Sequence, residues 1–144
     1  VAGITVFLVF GSAAAAQVLL ASVAYRTQLL FAAIACGVGL LVIAGGALAP
    51  SLALFLFGGI VGGAGVGALF RCALATASEI AEPGRTGETL AAMFLVAYCG
   101  LALPVLAIGG ALTVLPQTTV LLVFVVLVGV VTVTAALRMR RAAR

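Results

Sequence analysis

The sequence predicts an all-α protein, a polytopic transmembrane bundle of five membrane-spanning helices. Three observations carry that expectation. The 144-residue chain is 66% hydrophobic and 7% charged, with a mean hydropathy of +1.47, whereas soluble domains are about 45–50% apolar and about 25% charged. Its charges leave two long uncharged stretches, 44 positions between Arg26 and Arg71 and 49 between Glu88 and Arg138. Helix breakers fall near the middle of each: Gly45-Gly46 and Pro50 in the first, Leu115-Pro116-Gln117 in the second.

An unbroken helix through either stretch would be roughly 66–74 Å long. A bilayer core is about 30 Å thick and takes about 20 residues, so each stretch holds two crossings. With the apolar N-terminal run this gives spans at about 2–24, 28–47, 51–71, 89–113 and 118–137. Helices follow because the runs are continuously apolar and open sheet edges cannot face lipid. Barrel strands would alternate polar positions, and these runs do not.

The first span holds the polar residues Thr5, Ser12 and Gln17; Gln17 precedes Arg26 by nine residues. That places it roughly 13–15 Å from the boundary, close to the midplane. The second span ends at the glycine pair. The third carries Gly58, Gly59, Gly62, Gly63, Gly65 and Gly67, then Arg71. Gly59, Gly63 and Gly67 recur every four residues, which sets them on one face where a neighbouring backbone can approach closely. Gly63-Ala64-Gly65-Val66-Gly67 superficially suggests a dinucleotide loop, but no strand precedes it and no Lys-Ser/Thr follows. Arg71 is expected at the cytoplasmic edge, as a lipid anchor or as a gate paired with Glu79, Glu82, Glu88 or a part of the polypeptide outside this sequence.

The connecting stretch 72–88 contains Pro83-Gly84, a turn signal, with Arg85 beside it and Glu88 placed to meet the positive end of the next helix. In the fourth span Tyr98 stands ten residues after Glu88, again near the midplane, and Gly100 and Pro104 mark a bend. The fifth is nearly all Val and Leu and leaves through Arg138-Met139-Arg140-Arg141, an interfacial anchor.

All seven basic residues are Arg: 26, 71, 85, 138, 140, 141 and 144. Five spans put every one on, or at the edge of, the same side, and the positive-inside rule makes that side cytoplasmic, with a cytoplasmic C-terminus. An odd number of spans entering from outside, without an initiator Met or a signal-peptide pattern, is expected of the C-terminal part of a longer polypeptide. Abundant Ala, Gly, Val and Arg without Lys suit a GC-rich bacterial genome.

The same composition excludes chemistry. The chain has no His, Asp, Asn or Trp, and its only acids are Glu79, Glu82 and Glu88. No Ser-His or Cys-His nucleophile, imidazole ligand or paired aspartates can be built. Cys36, Cys72 and Cys99 lack metal or disulfide spacing and read as packing residues. No catalytic residue, metal or other cofactor is expected, and no nucleic-acid contact.

Gly65-Val66-Gly67-Ala68-Leu69-Phe70-Arg71, Pro83-Gly84-Arg85-Thr86-Gly87 and Leu95-Val96-Ala97-Tyr98-Cys99-Gly100-Leu101-Ala102-Leu103-Pro104, in this order, resemble the end of helix ten, its loop and helix eleven of bacterial major facilitator superfamily transporters. Over the whole chain the likeness is to helices eight to twelve of twelve. It implies two six-helix halves around a central cavity worked by alternating access, with helices eight, ten and eleven lining or flanking that cavity. Ser12, Gln17 and Tyr98 become the substrate-cavity candidates, and Arg71, Arg85 and Glu88 the cytoplasmic gate or anchor. Two departures from the family pattern stand out. The turn Ala21-Ser22-Val23-Ala24-Tyr25-Arg26-Thr27 keeps one Arg and no acid, and four residues separate Pro104 from Gly109-Gly110 where the antiporter motif has two.

The expected function is therefore proton-coupled efflux of a small solute, with the lipid bilayer, a small-molecule substrate and the missing N-terminal half of the same polypeptide as partners. A stand-alone five-span structural or pore subunit is the alternative. An intramembrane enzyme ranks third, for want of an acid or base within the spans.

Overall fold

The computed structural model describes the backbone of residues 2–142 and the side chains of 3–131 and 134. Val1, Arg144 and the side chains of the Arg138-Met139-Arg140-Arg141 anchor lie outside the described residues. The chain is all-helical: α1 (Ala2–Leu19), α2 (Tyr25–Leu48), α3 (Leu52–Ile80), α4 (Thr86–Ala111) and α5 (Gln117–Ala142). Among the described residues, α2, α3 and α4 are long and apolar enough to cross a membrane. The apolar described parts of α1 and α5, Gly3–Leu19 and Gln117–Val131, are shorter.

The helix boundaries have local causes. The α2–α3 connection is three residues, where Ser51 Oγ accepts from the Leu54 amide at 3.4 Å as the N-cap of α3. Pro116 precedes α5, and its carbonyl accepts from the Val120 amide. Between α3 and α4 the chain makes a β-turn, Arg85 N–H donating to the Glu82 carbonyl at 2.9 Å. Pro83 supplies the fixed φ of the second position and Gly84, at φ +84°, the left-handed third.

α3 is longer than its predicted span. The helix runs nine residues past Arg71 to Ile80, so Arg71 lies inside it, and the connection shrinks from 72–88 to 81–85. The extension is alanine-rich and so a good helix former. Thr76 and Ser78 bond their hydroxyls back to the Cys72 and Leu74 carbonyls, each at 3.0 Å, and Pro83 stops it. α4 runs unbroken through Pro104. α1 ends at Leu19, five residues short of the predicted boundary.

α3 is the central element, packed most extensively on α2 and next on α1, with a short contact to α4. α5 lies against α2 and touches α4. The α3 glycines divide between two neighbours. Gly63 and Gly67 meet α1: a Cβ on Gly63 would stand 2.5 Å from the Val9 carbonyl oxygen, and one on Gly67 would stand 2.6 Å from Ala13 Cα. Gly58, Gly62 and Gly65 turn to α2, where Gly39 packs backbone to backbone on Gly62 and a Cβ on Gly58 would stand 2.6 Å from the Ile43 amide. Dispersion falls off steeply with separation, so removing side chains from both sides of a seam is what brings these helices together.

Candidate functional site

The polar residues collect in three places. The first is the turn between α1 and α2, residues 20–24, where α3 passes beside it. Gln28, in the first two turns of α2, is only 6% exposed. Its amide nitrogen donates to the Leu20 carbonyl at 2.8 Å and the Val23 carbonyl at 2.7 Å. Its amide oxygen accepts from the Cys72 thiol at 3.6 Å. Arg71 donates to the Ala21 carbonyl at 3.2 Å, and Tyr25 and Thr76 share a hydrogen bond of 2.9 Å. A helix C-terminus leaves carbonyls without intrahelical partners. Gln28 and Arg71 bond the carbonyls of Leu20, Ala21 and Val23, in the turn that follows the last helical residue of α1.

The second is the loop into α4. Arg85 pairs with Glu88 at 2.6 Å and with Glu82 at 3.2 Å. All three side chains are well exposed. The two carboxylates, Glu88 first and Glu82 second, push the Arg85 guanidinium above its ordinary value. Among the described residues, then, Glu82 and Glu88 are engaged by Arg85, and Arg71 bonds a backbone carbonyl. An open surface hollow over this loop is lined by Ile80, Glu82, Arg85, Glu88 and Thr89. None of Ser12, Gln17 and Tyr98 lines it.

The third is an aromatic column across the α3–α4 seam. The Phe70 and Phe94 rings lie 5.9 Å apart and tilted; the Phe94 and Tyr98 rings lie 6.4 Å apart and stacked. Tyr98 stands at the middle of α4, twelve residues from Thr86 and thirteen from Ala111. It is 67% exposed, and its hydroxyl has no hydrogen-bond partner among the described residues. No described residue of α4 is buried, and a Cβ on Gly100 would meet nothing within 4 Å.

Ser12 and Gln17 are half-buried on α1. Ser12 Oγ donates to the Val9 carbonyl at 2.9 Å and sits against Gly63, in the α1–α3 seam. Gly59 faces the same helix, where an added Cβ would lie 3.2 Å from a Val9 methyl. Among the described residues α1 and α4 do not meet, so Ser12 and Gln17 are not brought together with Tyr98. No three metal-ligating side chains converge among the described residues.

Two features escaped the sequence. The sequence does not single out Gln28, which follows Tyr25, Arg26 and Thr27 at the polar start of α2; its only signal was an amide next to the continuously apolar part of that helix. The second glycine face of α3 was open to the same periodicity argument, since positions 58, 62 and 65 also share one side of a helix.

Comparison with protein-family models, with curated proteins and with solved structures returns no match. What the fold defines is a class: an all-α chain of five helices, of which three have the length and apolarity of membrane spans.

Proposed function

We propose that the chain is the C-terminal part of a bacterial secondary transporter of the major facilitator type, which moves a small solute by alternating access. Five membrane spans, a site in the cytoplasmic membrane and a cytoplasmic C-terminus belong to the same proposal. The observation that carries it is Tyr98. An unpaired hydroxyl facing hydrocarbon is costly, so a phenol at mid-helix depth, stacked on Phe94 and otherwise open, fits a wall facing a water-filled cavity or a solute. The tightly packed α1–α3 block is the scaffold such a wall needs.

Proton coupling and outward direction rest on the resemblance in the Gly65–Arg71, Pro83–Gly87 and Leu95–Pro104 regions. The coupling carboxylate would lie in the N-terminal half that this reading requires, because the three Glu of this chain all lie at the end of α3, in the loop or in the first turn of α4.

The size of the native polypeptide tests the proposal. At 144 residues for five spans, twelve spans need roughly 350 residues. With a tag after Arg144 in the source organism, the expected band is two to three times heavier than 14.2 kDa. A band at 14.2 kDa would overturn the transporter and leave the oligomeric membrane subunit.

A further inference from the structure

Through its middle, from Gly58 to Gly67, α3 is held by backbone-close contacts to α1 and α2. At the α1–α2 turn the attachment changes character and becomes polar. We propose that Gln28 is the pin of a latch that holds this turn onto α3, and that release of the pin lets the α1–α2 hairpin part from α3 at that end.

The geometry is that of a closed fastening. Gln28 uses both amide hydrogens on the turn, at the Leu20 and Val23 carbonyls, and its oxygen on α3, at the Cys72 thiol. One side chain therefore ties three elements together. Arg71 and the Tyr25–Thr76 pair brace the same joint from its exposed side. Every buried side-chain nitrogen and oxygen among the described residues has a partner, so the closed state leaves nothing unsatisfied.

Opening exchanges these bonds for bonds to water, which leaves a small net difference. It is feasible at this place because Arg71 and Tyr25 already reach the surface. Glycine seams farther along α3 have no such exchange open to them: separating them exposes apolar surface and creates voids. The fold thus combines a permanent seam with a fastening that can open and close. Cys72, 2% exposed and directly beneath the pin, reports the open state. This inference does not depend on transport.

Alkylation by N-ethylmaleimide, applied to the full polypeptide in native membranes and read site by site by mass spectrometry, tests it. Gln28→Met keeps length and volume but cannot donate to the Leu20 and Val23 carbonyls, and its thioether is at most a weak acceptor for the Cys72 thiol. The expected result is a rise of about tenfold or more in the Cys72 rate, since the variant gives up the two bonds to the turn and weakens the one to Cys72, each worth roughly severalfold net. Cys36, which packs against Gly65 in the glycine seam, should keep its wild-type rate. Tyr25→Phe, an exposed and milder change, should raise the Cys72 rate two- to threefold and secures the test if Gln28→Met does not accumulate. Wild-type Cys72 rates in the variants recovered would overturn the latch. A parallel rise at Cys36 would also overturn it, because the block would then be loosening as a whole.

Discussion

At the scale of single residues, what matters is where a side chain is missing. A Cβ at Gly63 would stand 2.5 Å from the Val9 carbonyl oxygen and 2.6 Å from Ser12 Oγ, and the first of these obstacles is backbone. Overpacking a core typically costs about 1–3 kcal/mol, and a contact that only a helix displacement can relieve belongs at the upper end. Gly63→Leu should therefore lower the yield of monodisperse protein and its melting temperature in detergent. Gly37, where a Cβ meets nothing within 4 Å, is the internal control: Gly37→Ala should be neutral, or stabilise by about 0.5–1 kcal/mol through helix propensity. Equal behaviour of the two variants would dissociate the glycine seam from stability. Periodicity exposed the Gly59, Gly63 and Gly67 face in the sequence but could not say which helix covers it. Nor could it reveal Gln28, whose importance comes from carbonyls at positions 20 and 23 and a thiol at 72 that only the folded chain assembles.

At the scale of elements, helix identities and most boundaries were legible because charges and breakers act over one or two residues. Glu88 falls in the first turn of α4 and Pro116 immediately before α5, as local capping chemistry requires. The end of α3 was not legible. Alanine-rich sequence with scattered Ser, Thr and Glu is equally compatible with a polar connection, and hydropathy falls there although helix propensity does not. The short turn that results, 81–85, makes its own prediction. Gly84 sits at φ +84° with open space around it, so Gly84→Val should fail through backbone strain alone, costing about 1 kcal/mol or more. Faster hydrogen exchange confined to the start of α4 is the expected signature; an unchanged rate there would mean the turn tolerates β-branched residues. The Arg85 ion pairs contribute differently. Their carboxylates raise the guanidinium above its ordinary value, so their contribution is complete below that value and is lost only as pH rises through the still higher folded one. Across neutral pH the loop should respond to salt, which screens exposed pairs, and not to Arg85 titration.

At the scale of the whole molecule, the arrangement is asymmetric in a way hydropathy alone does not show. α1, α2 and α3 form a block joined by glycine seams and by the Gln28 cluster, whereas α4 touches that block over a short length and buries none of its described residues. Five helices joined by connections of three to five residues must alternate in direction if each crosses the bilayer. Residues 20–24 and 81–85 would then share the face that carries Arg26 and Arg85, and residues 49–51 and 112–116 the opposite one. Single cysteines at Gly84, Ala49 and Val114, labelled with a membrane-impermeant maleimide, decide the matter. Positions 49 and 114 should label in intact spheroplasts and position 84 only in inverted vesicles. The native thiols at 36, 72 and 99 all lie within helices and set the background. Labelling of positions 49 and 84 from one side would mean that α3 does not cross, and labelling of 84 and 114 from one side would say the same of α4. In either case the positive-inside assignment would fall with the span count, because the grouping of Arg26 with Arg85 depends on the α3 crossing and the grouping of Arg85 with Arg138, Arg140, Arg141 and Arg144 depends on the α4 crossing.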